Sequence, residues 1–246
     1  MMYNKTVVLN REQHAGLTIA QSPNGYSFAA GLMSTMLATV EFFDAARCYP
    51  IMFAEMPDGR LSPIALLGLE QDENLFVDAD GLWDAPYVPA YVRRYPFITT
   101  DEQDGIMTVC FDEVFDGLNI DGGLPLFDGE SETEKMREIS GFLQDYLQQI
   151  RLTEAFVEEL WRLDLLKPVA AQVHFDNDVD YALNGLQVVD EEKLAALGDQ
   201  ELVDLFRNGA MGLVHAHLIS LRNLGVLVDR KSLRMHTVSD ALEVVE

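Results

Sequence analysis

At 246 residues, with 48% hydrophobic and 24% charged positions, the chain can bury one large core or two small ones and has an ordinary globular composition. Its formal net charge is −24, and residues 70–145 hold four bases against nineteen acids, a field that repels phosphate backbones, argues against nucleic-acid binding and steers basic surfaces inward. No stretch approaches the roughly 18 consecutive apolar residues of a membrane span, the start MMYNKTVVLNREQ lacks the apolar region of a signal peptide, and two cysteines are too few for a disulfide scaffold, so a cytoplasmic chain is expected.

In chain order, residues 6–9 and 17–20 read as short strands, and Ser22-Pro23-Asn24-Gly25 as a turn. Phe28, Leu32, Met36, Val40 and Phe43 recur at three- to four-residue spacing, which predicts an amphipathic helix ending near Ala46. Strands are expected over Tyr49–Ala54, Ser62–Leu69 and Asn74–Val77, with a hairpin turn at Pro57-Asp58-Gly59-Arg60. Further strands are placed at Ile106–Asp112 and Leu124–Phe127, around the loop Asp116–Gly123. Two helices follow, one striped by Met136, Ile139, Phe142, Leu143, Tyr146, Leu147 and Ile150, the other running from Glu154 to Leu166 before Lys167-Pro168. Ala171–Phe175 and Tyr181–Val189 predict a β-hairpin, and Asp190 is placed to cap the next helix. Helices over Glu201–Arg207 and Met211–Leu224 complete the C-terminal half. The expected architecture is α+β, with an antiparallel β-rich N-terminal half carrying an embedded helix and a mainly helical C-terminal half with one hairpin. It is read as a single unit over 1–231, with a loosely ordered tail over 232–246.

Signatures of chemistry are incomplete. Asp176, Asp178 and Asp180 match the start of a calcium loop, but Tyr181 stands where glycine is needed and Gln187 where the bidentate glutamate belongs. Asp78-Ala79-Asp80-Gly81 fails with Pro89 at the twelfth position, and both stretches read as turns. His215 and His217 are two apart and point away from each other on a helix, so no metal site is expected there. His14, His174 and His236 are isolated, and Cys48 and Cys110 lack any nucleophile signature. No lysine follows the glycine-rich loop until Lys135, so neither a nucleotide nor any other cofactor is expected.

The most distinctive stretch is Asn74–Phe97, NLFVDADGLWDAPYVPAYVRRYPF. Arg93 and Arg94 are the only bases between Arg60 and Lys135. Pro89 is placed to open a helical turn and Pro96 to close it, and Tyr87, Tyr91 and Tyr95 fall four apart beside the arginines. Two readings stand: the arginines neutralise surrounding carboxylates while the tyrosines pack inward, or the patch holds a carboxylate or an aromatic group. The candidate recognition surface is therefore Trp83, Tyr87, Tyr91, Arg93 and Arg94, presented by the Asp80-Gly81 turn.

Together with Glu41-Phe42, Ala45-Ala46, Tyr49–Phe53, Leu66–Leu69 and His217–Leu221, that stretch resembles the SapC family over roughly Val8 to Leu227. The resemblance implies a bacterial protein whose family is named from a surface-layer locus, and it brings no catalytic residues. The leading expectation is a non-enzymatic binding or accessory protein recognising a polypeptide partner with basic surface. The rival is an enzyme whose site is assembled from scattered residues, acting on a peptide or a small aromatic compound.

Overall fold

The computed structural model describes residues 2–103, 106–174 and 180–243. The chain is α+β. Strands β1 (Thr6–Val8) and β2 (Thr18–Ile19) lead to a 3-10 turn at Ser27–Ala29 and to β3 (Ser34–Met36). A second 3-10 turn at Thr39–Glu41 runs into the one-turn helix α1 (Phe42–Ala45). Strands β4 (Ile51–Glu55) and β5 (Leu61–Leu66) precede α2 (Ala90–Arg93), and β6 (Phe97–Gln103) pairs with β7 (Ile106–Asp112). The short strands β8 (Leu124–Pro125), β9 (Phe127–Asp128) and β10 (Ser131–Glu132) lead into α3 (Glu134–Arg162). Then come β11 (Leu166–His174), β12 (Asp180–Val189), α4 (Glu191–Ala195), α5 (Asp199–Arg207), α6 (Ala210–Ser220) and α7 (Asn223–Glu243).

The main sheet is antiparallel in the order β11-β12-β4-β5-β3, so the C-terminal hairpin extends a sheet begun in the N-terminal half. Pro168, which cannot donate to a ladder, sits in β11, the edge strand. The β4–β5 hairpin closes as its sequence demands: Asp58 Oδ1 accepts from the Arg60 amide at 3.0 Å, and Gly59 takes φ +82°. A second sheet, β1-β7-β6, lies over a separate cluster built from Leu17, Ile19, Phe97, Phe111, Phe115, Leu126 and Leu143. The larger core surrounds the main sheet, with Tyr49, Ile51, Met52 and Phe53 fully buried.

Helix α3 joins the two cores. Its 29 residues span about 44 Å at 1.5 Å per residue. Met136 and Leu143 pack into the smaller core, Phe156, Val157 and Leu160 into the larger. The break expected before Glu154 is absent. No proline or glycine interrupts Ile150–Glu154, and Thr153 fits the helix by donating its hydroxyl to the Gln149 carbonyl at 2.7 Å, while accepting from the Thr39 amide at 2.8 Å.

The helix expected over Phe28–Phe43 is also absent. That stretch forms two 3-10 turns, β3 and α1. Gly31, Ser34, Thr35 and Thr39 are poor helix formers, and pairing of Ser34–Met36 with β5 completes the sheet instead. The apolar stripe is dispersed as a result, leaving Val40 and Phe43 exposed. Asn74–Val77 is not a strand but a turn joined to Trp83 by a single bridge from Val77. At the other end, helix α7 continues past Ser232, where the sequence loses its apolar periodicity, as far as Glu243. Asp176 and Asp178 of the expected turn lie outside the described residues.

Among the described residues, Ala210–His236 is long and apolar enough to cross a membrane by length and composition. It is a weak indication. Only 28% of its most apolar window is buried, yet its polar groups are fastened to β4 and to the segments flanking the sheet. Ser220 Oγ accepts from the Ile51 amide at 2.9 Å, Asn223 donates to the Ala46 and Tyr49 carbonyls at 2.8 and 3.0 Å, and Lys231 pairs with Glu73 at 2.6 Å.

Candidate functional site

Segment Leu82–Phe97 runs along the seam between the two cores. Its entry is fixed by a turn in which Asp78 Oδ1 accepts from the amides of Asp80 and Leu82 at 2.9 and 2.8 Å. Gly81 takes φ +77°, and a Cβ there would lie 2.0 Å from the Asn24 carbonyl oxygen. The Tyr26 amide donates to the Gly81 carbonyl at 2.7 Å, so this turn and the Ser22–Gly25 turn interlock. Only glycine meets both requirements.

From there the segment first turns inward. Trp83 Nε1 donates to the Tyr49 hydroxyl at 2.8 Å, and Tyr49 in turn donates to the Tyr87 carbonyl. The Tyr87 hydroxyl donates to Glu41 Oε1 at 2.7 Å. Glu41 is 3% exposed, and its carboxylate also accepts from the Ala90 amide at 2.7 Å and the Ala38 amide at 2.8 Å. A buried charge is tolerable only when its lone pairs are filled in this way. It caps α2 and the Thr39–Glu41 turn together. Burial, and then the negative charge of Glu41, drives the Tyr87 phenol well above its ordinary range.

Beyond Pro89, which caps α2 one position earlier than its expected place as the first helical residue, the two arginines diverge. Arg94 is enclosed by rings. Its Cζ lies 4.0 Å from the Tyr91 ring centroid, 5.1 Å from that of Tyr146 and 5.9 Å from that of Tyr3. Arg94 Nε and the Tyr146 hydroxyl are buried without a hydrogen-bond partner. Burial pushes the Tyr3 phenol up to about 12, with Arg94 opposing the shift. Arg93 is exposed. Its Nε donates to the Val88 carbonyl at 2.9 Å, and its Cζ lies 5.4 Å from the Phe142 ring centroid and 5.8 Å from that of Tyr87. Among the described residues, neither arginine has a carboxylate within ion-pair distance. Both place their charge against π-systems.

Arg93 stands on the edge of an open cleft of about 930 Å³ between residues 19–28, the α2–β6 connection, Phe115–Leu124 and the first turns of α3. Its walls are aromatic. Phe28 stacks on Tyr95 at 4.2 Å between centroids, and Phe115 meets Tyr95 edge-on at 5.3 Å. Ile139 and Phe142 close the α3 side, where Lys135 pairs with Glu138 at 3.2 Å. The loops are tied together by Ser22 Oγ and Asn24 Nδ2, which donate to Asp116 Oδ2 at 3.0 and 2.8 Å. A larger cleft of about 1140 Å³ lies along Leu9–Glu12, Met107–Val109 and Glu130–Glu132, but its cation Arg11 is already engaged by the Glu130 carbonyl.

The SapC family matches this sequence over residues 9–227, which include the whole cleft and the Glu41 hub. The chain belongs to the SapC family. No curated protein and no solved structure matches it.

Other reactive groups in this SapC-family chain are held elsewhere. His217 is buried between β4 and β12. The Val189 amide donates to its Nε2 at 3.0 Å, so Nδ1 carries the proton and donates to the Ile51 carbonyl at 2.9 Å. Desolvation lowers its pKa to about 4. His215 bonds the Met211 carbonyl on its own helix, His14 packs edge-on against Phe111, and His236 bonds the Ser232 carbonyl. Cys48 and Cys110 are free and buried, and burial raises both thiols. Among the described residues, no three His, Cys, Asp or Glu side chains converge as a metal site.

The structure thus brings Tyr87 to Arg93 and Tyr91 to Arg94, and joins Trp83 to them indirectly, through Tyr49 and the Tyr87 backbone and through Tyr26 on the cleft wall. Sequence reasoning missed Glu41 as the hub and Phe28, Phe115 and Phe142 as cleft walls. Phe142 carried a partial signal in its place on the α3 stripe, but nothing local pairs that stripe with Arg93.

Proposed function

We propose that this SapC-family protein is a binding protein that recognises a polypeptide partner through the Arg93 cleft. The observation that supports the reading is an exposed guanidinium with no carboxylate partner, set among aromatic walls in the most acidic third of the chain. An acidic field draws in a basic polypeptide, and the lone cationic edge gives it one point of anionic anchorage. Arg93 and Tyr87 form the recognition edge, with Trp83, Tyr91 and Arg94 holding that edge in place. Aromatic rings supply contact area at little rotamer entropy, and arginine supplies a planar fork. A surface-layer polypeptide is the first partner to try, from the locus for which the family is named.

The test is quantitative capture from the native lysate on wild-type and Arg93→Ala baits. The expected result is a polypeptide retained by the wild type and about tenfold less by the variant, a loss of about 1.4 kcal/mol. Equal retention on both baits, or recovery of a small molecule and no polypeptide, would overturn the proposal.

A further inference from the structure

Arg93 differs from the other cations lining the cleft in being exposed with no carboxylate partner among the described residues. Lys135 is paired with Glu138, and the guanidinium of Arg94 is enclosed by three tyrosine rings. Arg93 is fixed at one end, through Nε on the Val88 carbonyl and the flanking rings of Tyr87 and Phe142. A guanidinium held in this way is pre-oriented, and the natural complement of its planar edge is a carboxylate. Phe142 lies beside it, and Phe28, Tyr95 and Phe115 line the same cleft.

We propose that the cleft receives the C-terminal carboxylate of its polypeptide on Arg93 and the side chain of that last residue, apolar or aromatic, between Phe28, Phe115 and Phe142. This inference rests on the polypeptide-binding reading and narrows it to one end of the chain. An aspartate or glutamate side chain fits the same site poorly. It would satisfy the guanidinium but leave the aromatic walls nothing to bury, since its carboxylate is the side chain itself. A terminal residue carries both parts, a carboxylate and an apolar group on one Cα, matching a cation adjacent to an apolar wall. A terminal carboxylate brings the same single negative charge as an acidic side chain into a region of four bases and nineteen acids over residues 70–145, so the preference for a chain end rests on the apolar wall beside the cation.

The experiment uses two peptide arrays of identical randomised hexapeptides, one with free C-termini and one amidated, probed with the full-length protein. The expected result is retention on the free-acid array at sequences ending in an apolar or aromatic residue, at least tenfold weaker retention on the amidated array, and loss of the difference in Arg93→Ala. Equal retention on both arrays overturns terminal-carboxylate capture and leaves polypeptide binding standing. Retention on neither array overturns both. The acid-against-amide comparison is made on the wild type, so the inference stays falsifiable even if the variant folds poorly.

Discussion

Trp83 and Arg93 lie on one segment, yet the two regions they mark are built on opposite physical terms. Around Glu41, each polar group has its partner: a carboxylate that is 3% exposed fills its lone pairs with two amides and one phenol, and tyrosine, tryptophan and backbone extend the network. Around Arg93, an exposed guanidinium lies beside aromatic rings with no carboxylate within ion-pair distance among the described residues. The first arrangement fixes a backbone; the second is ready to receive a ligand. A structural network closes on itself, and a recognition edge does not. The two are coupled, because Tyr87 donates to Glu41 with its hydroxyl and flanks Arg93 with its ring.

The strongest way to break this contrast is to empty the hub. Glu41→Ala would leave the buried amides of Ala38 and Ala90 and the Tyr87 phenol without an acceptor. Each unsatisfied donor costs about 1–3 kcal/mol, so a total loss of about 4 kcal/mol is expected, read as a fall of roughly 10 °C in Tm. A variant melting within about 2 °C of the wild type would show that the hub does not hold the segment.

His217 is another closed polar site, bonded to Ile51 and Val189 beside Phe53, and pH tests it. An unfolded histidine titrates near 6.5 and the buried ring near 4, so the neutral form is favoured by the fold. Its contribution is fully present above pH 6.5 and is lost as pH falls towards 4, because the unfolded chain takes the proton first. Protonation would also set an N–H against the Val189 amide that Nε2 now accepts. The loss amounts to about 3 kcal/mol over that interval. Urea midpoints between pH 7 and pH 4 should fall more steeply in the wild type than in His217→Gln. Carboxylates elsewhere titrate in both, so parallel curves would remove His217 from the account.

Much of this architecture was legible in the sequence. The Asp58-Gly59 hairpin, the Ile106–Asp112 strand, the C-terminal hairpin and the Asp190 cap all follow from neighbours within a few positions. What failed was decided by distant partners. The apolar spacing of Phe28–Phe43 is helical, but β5 recruits Ser34–Met36 into the sheet. Glu41 reads as one acid among forty-one, and only the fold brings Ala90 and Tyr87 to it. The divergence of Arg93 and Arg94, by contrast, was open to reading: successive residues on a helix point about 100° apart, so two adjacent arginines on α2 cannot share an environment.

That divergence gives the finest test of the contrast between closed and open regions. Arg94→Ala removes a guanidinium stacked 4.0 Å from Tyr91 and packed beside the buried Tyr146, leaving a void between three rings. It should cost about 2 kcal/mol, and Arg94→Lys should recover little of it, since an ammonium does not reproduce a planar group stacked on aromatic faces. Arg93→Ala removes an exposed side chain with one backbone hydrogen bond, so its stability should stay within about 0.5 kcal/mol of the wild type while partner retention falls. Parallel denaturant titrations of the three variants decide it. If Arg93→Ala destabilises as much as Arg94→Ala, the cleft edge is part of the closed network and the open region loses its distinguishing cation. If Arg94→Ala is neutral and abolishes retention, the two arginines exchange roles, and the partner's carboxylate belongs among the three tyrosines.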